Sequence, residues 1–317
     1  MSTTLVTGAA GFAGSHLLDL LVAERDRTSS DDTIVGWHRP GTTKPLTEGI
    51  RWDAVDVLDR DAVRAAIARV RPDVVYHCAG AAHVGRAWDR TESTFAINAR
   101  GTHFVLDALS RAELDCRVVI PSSALVYTPA ERALVEDDPL VPAGPYGVSK
   151  LAQEMLARHV SQGGGSLHVM VARAFNHFGP RQDPLFAASG FARRIADIER
   201  GRWAPDISVG NLDAKRDLTD VRDTVRAYRL MADRGQPGVV FNVCSGIAIE
   251  IRELLEKLIA RARIPVTITV DPARIRPNDA PLLLGDPGRI RDRLGWRPEI
   301  PLERTLDDLL QYWRNRD

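Results

Sequence analysis

Through the first half of the chain, short β-branched and apolar runs alternate with amphipathic stretches of helical period. The strand-like runs are T-L-V-T, T-I-V-G-W, D-V-V-Y-H-C-A-G and R-V-V-I-P-S-S. A further run, L-H-V-M-V-A-R, follows a turn at Gly163 to Gly165. Parallel strands need a crossover long enough to be a helix, so this alternation predicts an α/β fold with a doubly wound parallel sheet. After Arg173 the pattern loosens, with prolines at 180, 184 and 205. The predicted domains are therefore 1–173 for the sheet and 174–317 for a smaller C-terminal lobe. The chain returns to the sheet around 210–245, where D-V-R-D-T-V-R-A-Y leads into V-V-F-N-V-C-S-G. I-E-I-R-E-L-L-E-K-L-I and P-L-E-R-T-L-D-D-L-L-Q-Y-W read as amphipathic helices of the lobe.

At 317 residues the chain is long enough for two such lobes. Its 42 basic and 42 acidic residues cancel, so no nucleic acid or anionic membrane is expected as a partner. Cys78, Cys116 and Cys244 lie far apart and are odd in number, which predicts reduced thiols and no metal site. No apolar run approaches the ~20 residues of a membrane span, and the start lacks a leader pattern. A cytoplasmic protein is expected.

Candidate chemistry begins at T-L-V-T-G-A-A-G-F-A-G-S-H-L-L, where Gly8, Gly11 and Gly14 fall between a short strand and a helix. Glycines at this spacing permit a tight turn and let the backbone approach a diphosphate on the helix N-terminus. Tyr146 and Lys150, in P-Y-G-V-S-K-L-A-Q-E, stand four apart and share one helix face. An ammonium beside a phenol favours the tyrosinate, so the pair predicts a phenol drawn down toward neutral pH as a general acid for a ketone. Ser122 and Ser123 end the strand V-V-I-P-S-S, where ligands bind in open α/β sheets.

Glycine turn, strand-end serine and Tyr/Lys helix, in this order, resemble the extended short-chain dehydrogenase/reductase family over nearly the full length. The resemblance implies a Rossmann-type NAD(P)-binding domain and selects Ser123 as catalytic, with Tyr146 and Lys150. Asn98, in F-A-I-N-A-R-G-T, matches the family asparagine that steadies a proton relay through water. Cofactor contacts are implied for Gly8, Gly11, Phe12, Ala13, Gly14, Asp56, Val57, Ala79 and Gly80, besides Tyr146 and Lys150. The second strand ends G-W-H-R, with no acid for a ribose hydroxyl and with Arg39 in reach of a 2′-phosphate. NADPH is expected over NADH. Helices around 92–110 and 146–160 carry apolar faces, and in this family such helices pair into a homodimer.

Segments R-A-F-N-H-F-G-P, V-G-N-L-D-A-K-R-D-L-T-D and R-P-N-D-A-P-L-L-L-G-D-P resemble the GDP-sugar branch. That resemblance implies nucleotide contacts from Asn176, Arg194, Arg216 and Arg276, with Asp279 in place of a longer glutamate at the ribose. His83 lies in a looser sugar-facing segment. Where the branch's dehydratases carry a glutamate base, this chain has Leu125, which neither gives nor takes a proton. The expectation is a reductase of a GDP-linked 4-keto-6-deoxyhexose. A 4,6-dehydratase, an epimerase and a non-catalytic cofactor sensor are the alternatives.

Overall fold

The computed structural model describes residues 1–42, 47–163, 165–274 and 280–316. Its strands are β1 (Thr3–Thr7), β2 (Thr33–His38), β3 (Arg51–Ala54), β4 (Val74–His77), β5 (Cys116–Ser123), β6 (Leu167–Ala174) and β7 (Asn176–Phe178). They continue with β8 (Asp206–Val209), β9 (Lys215–Asp220), β10 (Val240–Val243), β11 (Ala248–Glu250), β12 (Thr267–Val270) and β13 (Leu282–Leu283). Seven of them form one sheet in the order β10-β6-β5-β4-β1-β2-β3 with every neighbouring pair parallel. This is a doubly wound α/β sheet. Strand order reverses between β1 and β4, so a crevice opens beyond their C-terminal ends.

Helices cover both faces. Val63, Ile67, Val105, Leu109 and Ala157, from three helices, pack against Leu5, Val75, Val118 and Val169 on one side. On the other, Leu17, Val225, Tyr228 and Ile290 meet Val6, Tyr76, Met170 and Phe241. Because both faces are dry, the central strands read as near-continuous apolar runs. The return to this sheet consists of helix Val221–Arg234 and β10, whereas β9 joins a second sheet with β7, β11 and β13. A later segment also packs here, since Ile290, Leu294 and Trp296 are buried in the same core. The remaining lobe has its own core of Ile195, Leu254, Leu258, Leu306 and Leu309. No helix of the described residues is long and apolar enough to cross a membrane.

One ion pair ties the helix carrying Tyr146 to the sheet. Arg173, at 1% exposure on β6, forks onto Glu154 of helix Pro145–Gln162, with Nη2 to Oε2 at 2.8 Å and Nε to Oε1 at 3.0 Å. Its Nη1 donates to the Tyr127 hydroxyl and the Glu136 carbonyl, so the guanidinium is held on several sides. Removing one partner of such a pair leaves a buried charge uncompensated. Glu154→Ala is therefore expected to lose about 3 to 5 kcal/mol of unfolding free energy, and Glu154→Leu combined with Arg173→Met to recover a large part of it. Urea denaturation measures both; a loss below about 1 kcal/mol in the single variant would contradict the role given to the pair.

Candidate active site

Gly8 follows β1 with φ 63°, in the left-handed region, and a Cβ placed there would come within 2.6 Å of the Ala79 nitrogen. Only glycine lets these two strand ends lie so close. Helix Phe12–Thr28 then starts at Gly11 with no side-chain cap and no acid in its first turn. By contrast, helix Arg60–Val70 is capped by Asp59, which accepts from Asp61 and Ala62. The first N–H groups of the long helix, at Phe12, Ala13 and Gly14, thus face the crevice with positive potential. A dinucleotide diphosphate fits this cradle. Asp56 and Val57 follow β3, with the Asp56 carboxylate accepting from the Leu58 nitrogen and Val57 buried under Gly101. Arg39 is exposed just beyond β2.

The catalytic candidates converge from β5 and helix Pro145–Gln162. Successive strand residues point to opposite faces, and the two serines separate accordingly. Ser122 donates to Glu154 at 2.5 Å and is committed to the structural pair. Ser123 accepts the Leu125 nitrogen at 3.1 Å, which leaves its hydroxyl proton to give, and it lies beside the Tyr146 phenol. Gly147 is what brings the helix this close: a Cβ there would overlap the Leu125 carbonyl oxygen. Lys150, buried one turn after Tyr146, donates to the Pro121 carbonyl at 2.8 Å and to Gln153 Oε1 at 2.9 Å.

The electrostatics correct one expectation. The Tyr146 phenol is not drawn down by Lys150; burial pushes it up to about 12, opposed by the Ser123 hydroxyl. Burial likewise lowers Lys150 to about 8, against the pull of Cys78 and Glu154. Loss of water penalises both charged forms more than the pair assists either one. At neutral pH the site therefore holds a protonated phenol and a charged lysine. That is the state a proton donor needs.

Asn98 is held by bonds to two segments. It lies in a π-helical turn, Ala96–Gly101, fully buried. Its Oδ1 accepts the Ala81 nitrogen at 2.8 Å and its Nδ2 donates to Ser149 at 2.9 Å, so its side-chain bonds go to neither Tyr146 nor Lys150. It pins the loop after β4, with Ala79 and Gly80, to the catalytic helix. His83, in that loop, stacks on Phe186 with centroids 5.0 Å apart and places Nε2 3.4 Å from Asp183. It helps line an open cleft of about 400 Å³ that also touches Phe12, Gln182 and Trp313; Ser123 and Tyr146 are not part of that wall.

Asn176 pairs with Leu218 across β7 and β9, so Asn176 and Arg216 lie on one face of the second sheet. Arg216 is largely buried and donates to the Lys215 and Ala280 carbonyls at 2.9 and 2.8 Å. Arg194 stacks over the exposed Trp203 ring at 4.0 Å. Arg276 and Asp279 lie outside the described residues. Three further site-supporting residues had no legible signal: Gln153, Thr102 and His77 acquire their meaning only from partners distant in sequence. Among the described residues no His, Cys, Asp and Glu cluster could hold a metal ion.

A doubly wound sheet with a glycine turn at its switch point and a Ser/Tyr/Lys set opposite defines the extended short-chain dehydrogenase/reductase class. Within it, the chain belongs to the GDP-mannose 4,6 dehydratase family, which it matches over residues 5–309. It is 35% identical to the GDP-6-deoxy-D-mannose reductase of Pseudomonas aeruginosa, over 98% of this chain and 97% of that protein. Identity to the UDP-glucose 4-epimerase of Mycolicibacterium smegmatis is 30%, over 99% of each. The solved structure of RMD from Pseudomonas aeruginosa complexed with NADPH superposes with a TM-score of 0.85 at 33% identity, covering 100% of both chains.

Lys150 sets a pH limit. As pH rises through about 8 the ammonium is lost while the phenol keeps its proton, so kcat/KM is expected to fall on the alkaline side with an apparent pKa near 8. A profile flat to pH 10 would show that Lys150 does not titrate there or does not matter.

Proposed function

We propose that the protein reduces the C4 ketone of a GDP-linked 4-keto-6-deoxyhexose, consuming NADPH at least as efficiently as NADH. The observation that carries this is a protonated Tyr146 beside Ser123 with Leu125, not a carboxylate, next in line. The nicotinamide, when bound, supplies the hydride to C4. Tyr146 gives its proton to the carbonyl oxygen as negative charge develops there, and Ser123 donates a hydrogen bond to the same atom. Lys150 holds the nicotinamide ribose and keeps positive charge near the phenol. One ketone, one hydride and one proton yield one alcohol. The product is GDP-D-rhamnose, or GDP-6-deoxy-D-talose if the hydride reaches the other face.

The GDP-sugar assignment is supported by the reductase relative and by the face shared by Asn176 and Arg216. Forked guanidinium donors match diphosphate oxygens, and Arg194, Arg276 and Asp279 complete the nucleotide contacts in this reading. A 4,6-dehydratase must abstract the sugar C5 proton, and Leu125 cannot do so. Preference for NADPH rests on exposed Arg39 and the missing acid after β2. We extend the reading to a homodimer in the cytoplasm, supported by exposed Trp88, Val148 and Met155 on or beside the catalytic helix and by three free thiols. A solution mass equal to one 34.9 kDa chain would rule the dimer out.

Mixed with NADPH and GDP-4-keto-6-deoxymannose, the protein should oxidise the cofactor, read as loss of absorbance at 340 nm, while GDP-mannose stays unchanged by mass spectrometry and NMR. Conversion of GDP-mannose to its 4-keto-6-deoxy derivative without net NADPH loss would establish the dehydratase instead. Tyr146→Phe should lower kcat by about 10²-fold or more while leaving NADPH affinity nearly intact. Arg39→Asp should invert the cofactor preference; a wild type at least about tenfold better with NADH, a difference of about 1.4 kcal/mol, would overturn the choice of NADPH.

A further inference from the structure

Behind Lys150 runs a buried hydrogen-bonded chain whose direction is fixed from end to end. Thr102 donates its one hydroxyl proton to the Asn98 carbonyl at 2.6 Å, so toward its other two neighbours it can only accept. Those neighbours are Gln153 Nε2 at 2.7 Å and His77 Nε2 at 3.0 Å. His77 must then carry its proton on Nε2, which makes Nδ1 the acceptor for the Thr7 hydroxyl at 2.9 Å. Thr7 in turn accepts the Ala79 nitrogen at 3.2 Å. Thr7, Thr102 and Gln153 are 0% exposed and His77 2%, so no water substitutes for any of these partners.

The consequence falls on the amide of Gln153. With Nε2 committed to Thr102, its Oε1 is obliged to face Lys150, whose ammonium it meets at 2.9 Å. Pro121 takes a second ammonium proton. Of three N–H groups one is left, on a nitrogen that lies close to Gly80 of the loop after β4: a Cβ on Gly80 would stand 3.7 Å from it, in ordinary contact.

We propose that Gln153 is a positioning residue for Lys150, locked by the Thr102–His77–Thr7 chain so that the ammonium keeps one N–H for the cofactor crevice. The proposal rests on the reading of Lys150 as the residue that holds the nicotinamide ribose. A second consequence is that the chain does not conduct protons, since a carboxamide holding this orientation neither gains nor loses one at neutral pH. Thr7 ends β1 just before the glycine turn and Ala79 lies in the loop after β4 beside it, so one continuous set of bonds joins the edge of the cofactor crevice to Lys150.

Two near-isosteric variants test it by moving one quantity in opposite directions. Gln153→Met removes the acceptor that favours the charged amine, so the alkaline limb of the pH profile should move to lower pH, with kcat down about 10- to 100-fold. Gln153→Glu places a carboxylate there, and the limb should move to higher pH. The groups facing Lys150 do not confuse the reading: His77 is lowered to about 3 and His177 is also lowered, the Cys78 thiol is pushed up to about 12, and Glu154 is held by Arg173. Damage to the fold alone would lower activity without moving the limb in opposite senses. NADPH affinity, followed by quenching of its fluorescence across the same pH range, supplies the readout without turnover. If the wild type failed to reduce the ketone, the proposed function would fall while this titration still decided the role of Gln153. Limbs unchanged in both variants, or displaced in the same direction, would overturn the inference.

Discussion

Everything at the site hangs from the buried pair of Arg173 and Glu154. Two charges taken out of water are tolerable only when their remaining donors and acceptors are filled, and here they are. Ser122 adds a further bond to the carboxylate, and the Tyr127 ring lies under the guanidinium at 4.7 Å. The Tyr127 hydroxyl donates to Asn242 Oδ1, and the Asn242 backbone nitrogen donates to Glu136. Strands β5, β6 and β10 and the catalytic helix are thereby joined at one dry point. Register follows from that joint. Glu154 fixes the rotation of the helix, Lys150 stands one turn earlier and Tyr146 one turn before that.

The pair also explains the division of labour between two adjacent serines. Ser122 is consumed in holding the joint, and strand pleating turns Ser123 to the other face, toward the phenol. The same dryness that makes the joint firm sets the acid–base chemistry. In water a lysine and a tyrosine ionise at similar pH. Burial separates them here, lowering one to about 8 and raising the other to about 12. Between those values the phenol holds a proton with no cation beside it. Charged lysine and protonated phenol therefore coexist only at pH below the lysine's transition.

Local spacing made much of this legible. A glycine turn after a strand, two serines at a strand end and a Tyr/Lys pair four apart each encode their geometry within a few residues. The alternation of apolar runs gave the parallel sheet for the same reason. What escaped the sequence were commitments made across the fold. Nothing near Asn98 says that its amide is spent on Ala81 and Ser149, or near Arg216 that it bonds the Ala280 carbonyl. Tyr146 was misjudged because spacing shows which charge is near but not how much water is absent. Ile290 and Trp296 read as part of the lobe, yet they are buried against the nucleotide domain, since an amphipathic helix does not announce which core it joins.

Position 125 shows how little separates the chemistries that this scaffold supports. Leu125 packs on an apolar cluster with Ala124, Val126, Tyr127 and Phe175, and its carbonyl abuts Gly147 of the catalytic helix. Backbone contact there serves any relative with this helix approach, whatever the side chain. The side chain decides whether a sugar proton can be removed next to the ketone. With a carboxylate, hydride taken from the sugar can be returned after water is lost, and the cofactor ends as it began. With leucine at 125 there is no group at this position to take that proton, so the elimination of water lacks its base whatever the cofactor does at C4.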